Sequence, residues 1–349
     1  MAATPTSPSS PFAAVRPEWL ALHVEPVLEP ELAIVDCHHH LWNRPECPYG
    51  LEDLLADMQS GHRVEASVFV ECRSHYRSEG DRSLRSLGET EYVADVAGKG
   101  ARECLKPAAG IVAFVDLQLG ATQVSELLRL HREKAEGTLR GIRNVSATTE
   151  PVRLDEESKE PSLLMSQAFR EGFSQLRAAN LVFDAWMFHT QLGDLVDLAS
   201  AFPDTTIILN HLGGPTGVGP QGQNPSAAMQ FWQSQIARVA NCENVVLKVG
   251  GLGMPHVGFG FHERSSPPTS EDLARAWRPL IEYVLQTFGT HRAMFESNFP
   301  VDKGAYSYVT LWNTFKRLTS GYSGAERERL FARNASRVYR LEGASAARG

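Results

Sequence analysis

No apolar run of about 18 residues, the length a membrane-spanning helix needs, occurs anywhere in the 349 residues. The opening stretch MAATPTSPSSPFAAVRPEW lacks the charged segment followed by an apolar one that marks an export signal. Cysteine is scarce. The five present (Cys37, Cys47, Cys72, Cys104, Cys242) are odd in number and show no Cys-x-x-Cys spacing, which excludes a disulfide framework and a structural zinc knot. A reducing compartment follows, and a cytoplasmic location is expected. Runs of five like charges are also missing, and the net charge is −7, so neither nucleic acid nor a membrane surface is an expected partner.

What is present describes a globular chain with a large core: 42% hydrophobic and 21% charged residues. Eight short apolar segments recur: LAIVDC (32–37), ASVFVEC (66–72), AGIVAFVDL (109–117), LRGIRNV (139–145), NLVFDAW (180–186), TTIILNH (205–211), NVVLKVGG (244–251) and RAMFES (292–297). Their β-branched, weakly alternating content suits strands covered on both faces. Between them, 124–134, 163–179, 192–202 and 273–288 carry helical periodicity. Pro279 predicts a kink or break in the last of these, and Ser323 with Glu326 has capping-box spacing that opens a helix to about Tyr339. Strands alternating with helices predict a single-domain, distorted TIM-like (β/α)8 barrel with long loops at its C-terminal face. A doubly wound sheet is the alternative, and the absence of Gly-x-Gly-x-x-Gly after the first strand weighs against it. The expected organisation is an N-terminal arm over 1–31, rich in Pro, Ser and Ala, a barrel over 32–341, and a tail over 342–349.

Chemistry gathers at the strand ends. In IVDCHHHLW, alternation points His38 and His40 to one side, His39 to the other, and Cys37 away from His38 as a small buried strand residue. His189 and His211 end the fifth and sixth strands, so four imidazoles are expected at one barrel mouth. Imidazole nitrogens suit a divalent ion, with Zn2+ first and Mn2+ next. Catalysis without metal, the carbonyl polarised by side chains, is the other arrangement. Arg73, Arg143, Lys248 and, in the 251–270 loop, His262 and Arg264 are expected to bind substrate; cations on an acidic chain point to a carboxylated small molecule. Assembly into a homo-oligomer is compatible with the sequence.

These motifs, together with the 194–215 block DLVDLASAFPDTTIILNHLGGP, MFESNFPVDK (294–303) and FARNASRVYRL, resemble the amidohydrolase superfamily over roughly residues 32–341. Within it they are similar to the "amidohydrolase 2" branch of sugar-lactone and 2-pyrone-4,6-dicarboxylate lactonases. The resemblance implies a hydrolase opening a lactone or another cyclic or carboxylic ester. His38, His40, His189 and His211 would be its catalytic imidazoles, and His38, His40 and His189 its metal ligands. The eighth-strand aspartate that activates water in that family is here Asn298, and a carboxamide is no general base. Glu296, two residues earlier, is the nearest substitute, with Glu71 and Asp302 as others, and pairing of Glu296 with Lys248 is its structural alternative. Non-oxidative decarboxylation of an aromatic acid and a non-catalytic ligand-binding barrel are the competing functions. Asn298 favours the second of them.

Overall fold

The computed structural model describes residues 12–45, 47–101, 105–147 and 163–341. Cys104, residues 1–11 of the expected arm and the expected tail 342–349 lie outside the described residues. Strands β1 (Ile34–His39), β2 (Val64–Val70), β3 (Gly110–Ala113), β4 (Leu139–Val145), β5 (Val182–Trp186), β6 (Ile207–Leu209), β7 (Val245–Val249) and β8 (Ala293–Phe295) pair in parallel and in chain order. Beyond β8 the chain returns to β1: the Asn298 N–H donates to His38 O at 2.9 Å and the His40 N–H to Phe299 O at 2.8 Å. These bonds close the cylinder and leave no open edge.

Alternation sorts the side chains into two cores. Ile34, Phe69, Ile111, Ile142, Phe183, Leu209, Leu247 and Phe295 face outward and pack beneath helices such as Ala121–Lys134, Leu192–Ala201, Pro225–Ala240 and Tyr308–Leu318. Val35, Cys37, Val68, Val112, Val182, Ile208, Val246 and Met294 fill the cylinder, and Ala332, Ala335, Val338 and Tyr339 from the C-terminal helical segment cover its floor. That segment opens with the expected capping box, in which Ser323 Oγ accepts from the Glu326 N–H.

Three local expectations are corrected. The helix at Pro279 runs unbroken from Ser270 to Phe288. Pro279 sits on its exposed face, as does Arg275 one turn earlier, so the carbonyl that loses its amide partner there faces water. The 163–179 stretch divides into a short turn, Leu163–Met165, and helices Gln167–Phe173 and Gln175–Ala178. In β1 the register passes from Asp36 opposite Ser67 to His39 opposite Phe69, so three steps on β1 match two on β2. This bulge turns Cys37 and His38 to the same interior instead of opposite sides. Cys37 joins the inner core and its Sγ–H donates to Phe295 O, while His38 meets Glu296 and Lys248.

Candidate active site

The bulged end of β1 delivers His38 and His40 to the barrel mouth, where both are buried. His40 Nδ1 lies 2.7 Å from Val70 O. A carbonyl only accepts, so the ring proton is on Nδ1 and Nε2 is a lone pair. That lone pair faces His38 Nε2 at 3.3 Å. His38 Nε2 is also 3.4 Å from Arg143 Nη1, and its Nδ1 stands 3.3 Å from Lys248 Nζ and 2.9 Å from Glu296 Oε2, the latter off the line of a hydrogen bond.

His211, just past β6, is held by the other oxygen of the same carboxylate. Glu296 Oε1 accepts the His211 backbone N–H at 3.0 Å and lies 2.8 Å from Nδ1, which leaves Nε2 to the cavity. Glycine makes this approach feasible. A Cβ on Gly250 would fall 2.4 Å from Glu296 Cγ, and one on Gly251 (φ +71°) 2.7 Å from the His211 ring. The paired glycines after β7 are therefore the space into which the two functional side chains fit.

Burial pushes the His38, His40 and His211 pKa values well below 6.5, and the cations Lys248 and Arg143 nearby push the same way. All three are neutral imidazoles at neutral pH. Burial raises Glu296 to about 8, opposed in part by Lys248. Among the described residues, His38, His211 and Glu296 form a group whose ligand atoms lie within 4.8 Å of one another.

His189 is not brought into that group. β5 ends at Trp186, so His189 opens a separate turn; its Nδ1 accepts the Thr216 N–H at 3.2 Å and its ring meets Phe231 at 5.9 Å. It fastens the 212–227 loop, and Trp186 takes the wall position instead, edge-on to His211 at 4.8 Å. The expectation that His189 completes a metal set therefore gives way to His211. Lys248 is likewise below the cavity: it donates to Asp184 Oδ1 at 2.7 Å, and Asp184 also accepts from Asn210 Nδ2 and the Tyr339 hydroxyl. The expected Glu296–Lys248 pairing is thus replaced by Asp184–Lys248. His262 and Arg264 do not reach the cavity. Their backbone carbonyls accept from Arg16 and Trp19, and the Arg264 guanidinium turns outward to Asp272 at 3.7 Å.

The cavity, ≈ 170 Å³, is lined by residues that include His40, His211, Glu71, Arg143, Arg73, Trp186 and Asn298. Arg143 Nε donates to Glu71 Oε1 at 2.9 Å and Nη2 to Glu71 O; Glu71 Oε2 is buried without a hydrogen-bond partner among the described residues. Asn298 (φ +57°) donates its amide to Asp302 Oδ1 at 3.1 Å, so its own Oδ1 is the atom left without a partner. Asp302 itself is saturated, accepting also from the Gly253 N–H at 3.0 Å and the Tyr306 hydroxyl at 2.5 Å. Burial lifts its pKa to about 7. Phe12 and Arg44 are among the lining residues that sequence reasoning missed, with Cys72, Val145 and Val301. Arg44, two residues past Trp42, had a signal in that spacing; Phe12 had none, because its position depends on how the arm folds back.

The family model described as amidohydrolase matches residues 35–341. The chain belongs to the amidohydrolase family. Among characterised amidohydrolases it is 26% identical to the L-fucono-1,5-lactonase of Burkholderia multivorans over 88% of this chain and 96% of the relative. It is 32% identical to the uncharacterised protein y4mH of Sinorhizobium fredii, over 89% of this chain and 99% of that one. A zinc-bound amidohydrolase crystal structure from Burkholderia multivorans shares the fold with a TM-score of 0.67 at 23% identity, covering 88% of this chain and 99% of that chain. The chain is thus an amidohydrolase-family enzyme with a TIM-like barrel, and none of its described helices is long and apolar enough to cross a membrane.

Proposed function

We propose that this amidohydrolase hydrolyses a lactone, or another cyclic or carboxylic ester, of a small anionic molecule. One observation carries the reading: His40, His211, Arg143 and Glu71, whose Oε2 has no hydrogen-bond partner among the described residues, line the same cavity. Similarity to L-fucono-1,5-lactonase supports a lactone as the substrate class.

His38, His211 and Glu296, whose ligand atoms lie within 4.8 Å of one another, are the described residues that would hold a divalent ion, with zinc first and manganese second among those that imidazole suits. His40 Nε2, 3.3 Å from His38 Nε2, stands beside that group. A divalent ion bound there polarises a carbonyl and lowers the pKa of water. The Arg143 guanidinium, 3.4 Å from His38 Nε2, competes for the same lone pair, and it is the donor for the carbonyl oxygen if catalysis runs on side chains alone.

Glu71 is the acid that stands in for the missing aspartate. Its Oε1 fixes Arg143, and Oε2 takes a proton from water as the water oxygen bonds to the carbonyl carbon. When the ring C–O bond breaks, the same carboxyl returns that proton to the leaving oxygen. Asn298 Oδ1, aimed by Asp302, accepts from the attacking water and orients it.

The test is elemental analysis of protein purified without chelators, with a lactone panel run on wild type and His211→Ala. Loss of turnover in His211→Ala is expected. Equal turnover by both proteins overturns the reading. Full activity in metal-free wild type assigns polarisation to Arg143.

A further inference from the structure

The cations around the cavity fall into two kinds. Arg143 and Lys248 are neutralised by Glu71 and Asp184. Arg44 and Arg73 also line or approach the mouth, and among the described residues neither has an ion-pair partner. Arg44 is held all the same. Its guanidinium lies 4.1 Å over the Trp42 ring and 4.8 Å over the Phe12 ring, and the two rings are 5.2 Å apart. Stacking of this kind orients a guanidinium plane and leaves its N–H edge for an anion.

A second observation points to the same ligand. Trp42 lines the cavity and is 5% exposed, yet its indole Nε1–H, buried, has no acceptor among the described residues. A buried donor without an acceptor is costly unless a ligand supplies one. Trp42 also stacks on His40, with ring centroids 6.4 Å apart and planes at 11°, so one indole spans from the imidazole cluster to Arg44.

The described part of the arm that supplies Phe12 is fastened at Ala13, Arg16 and Trp19. A Cβ on Gly304 would lie 2.3 Å from Ala13 O, so the glycine is the seat for the arm backbone. Arg16 donates to His262 O, and Trp19 Nε1 to Arg264 O at 2.9 Å. The 251–270 loop thus meets the pocket both directly, through Met254, and through the arm.

Resting on the hydrolase reading for the reaction but not for the ligand chemistry, we infer that Phe12, Trp42 and Arg44 form a carboxylate subsite at the cavity mouth, and that the N-terminal arm is a wall of the substrate pocket. The substrate class is then a lactone or ester bearing a carboxylate set apart from the carbonyl that is attacked. Hydrolysis yields a hydroxy acid with two carboxylates, one held at the mouth and one newly formed at the imidazoles.

The subsite is tested by binding first, on the full chain, with benzoate and its neutral counterpart benzamide as probes in calorimetry at low ionic strength. Wild type is expected to prefer benzoate by about 10- to 100-fold, the range of one or two charge-assisted hydrogen bonds. Arg44→Met should abolish that preference, Arg44→Lys should keep part of it, and Phe12→Ala and Gly304→Val should each reduce it by freeing the guanidinium. Equal binding of the two probes by wild type, or an unchanged preference in Arg44→Met, overturns the proposal whatever the lactone panel gives. If lactones are turned over, Arg44→Met should lower the ratio of kcat/KM for carboxylated over neutral lactones by the same factor, through KM. An unchanged ratio overturns the proposal while leaving the hydrolase reading intact.

Discussion

Two clusters of buried charge lie on the barrel axis, one at the mouth and one at the floor, and they differ in how fully their polar atoms are met. At the floor both oxygens of Asp184 are met, accepting from Lys248, Asn210 and Tyr339 within 2.7–3.0 Å, and Asn210 Oδ1 is the cluster's one atom without a partner among the described residues. At the mouth, Glu71 Oε2, Asn298 Oδ1 and Trp42 Nε1 are buried with no hydrogen-bond partner among the described residues. Saturation distinguishes a charge pair that holds the fold from one prepared for a ligand.

The comparison breaks hardest at Glu71. Glu71→Gln keeps the shape of the side chain and removes the base, so turnover should fall by about 100- to 10,000-fold, read as kcat on whichever lactone wild type accepts; retention of activity within a few-fold would show that Glu71 only positions Arg143. At the floor the effect should instead be on folding. Lys248→Met leaves Asp184 buried without its cation and should cost about 3–5 kcal/mol in urea unfolding. A cost under about 1 kcal/mol would mean that the hydrogen bonds to Asp184 suffice.

His131 offers a third kind of buried group, remote from both clusters. Its Nε2 meets Ser86 Oγ at 3.2 Å and its Nδ1 meets Thr90 Oγ1 at 2.8 Å, and burial lowers its pKa from 6.5 to about 4. Because the unfolded chain takes up this proton first, the contribution is complete above pH 6.5 and is lost as pH falls toward 4, about 3 kcal/mol in all. His131→Gln should flatten the stability profile across that window by about 1.4 kcal/mol per pH unit, measured against wild type by denaturant titration at several pH values. An unchanged acid slope counts against a neutral His131. The smallest effect is expected from Tyr339→Phe, which removes one hydroxyl from Asp184 and should cost about 1–3 kcal/mol, with turnover unchanged. A larger fall in activity than in stability would show that floor and mouth are coupled through Lys248 and His38.

Much of the barrel was legible because its signals are local. LRGIRNV spans β4 end to end, five other apolar segments contain their strands, and the first two overlap β1, which runs two residues further, and β2, which begins two residues earlier. His38, His40 and His211 were legible as strand-end imidazoles. What escaped depends on contacts across the closed cylinder. The bulge in β1 is a matter of pairing with β2, so alternation alone sent Cys37 the wrong way. His189 and His211 look equivalent in sequence, yet only the chain after β6 turns its imidazole toward Glu296, 85 residues later. Phe12 reaches the cavity because the arm lies against residues some 250–300 positions on, among them His262 and Gly304. Arg264 carried the right charge for substrate, but its carbonyl, not its guanidinium, turned out to matter at the arm.

The Tyr339 hydroxyl meets a carboxylate 155 residues upstream, and the helical segment around it stops the bottom of the barrel. A ribosome therefore releases nearly every strand before the part that shields Lys248 and Asp184 has been made. Until then water can enter from below, and the ion pair under His38 is an ordinary solvated one. The burial that lowers the His38 pKa is therefore complete only once the last helical segment has docked.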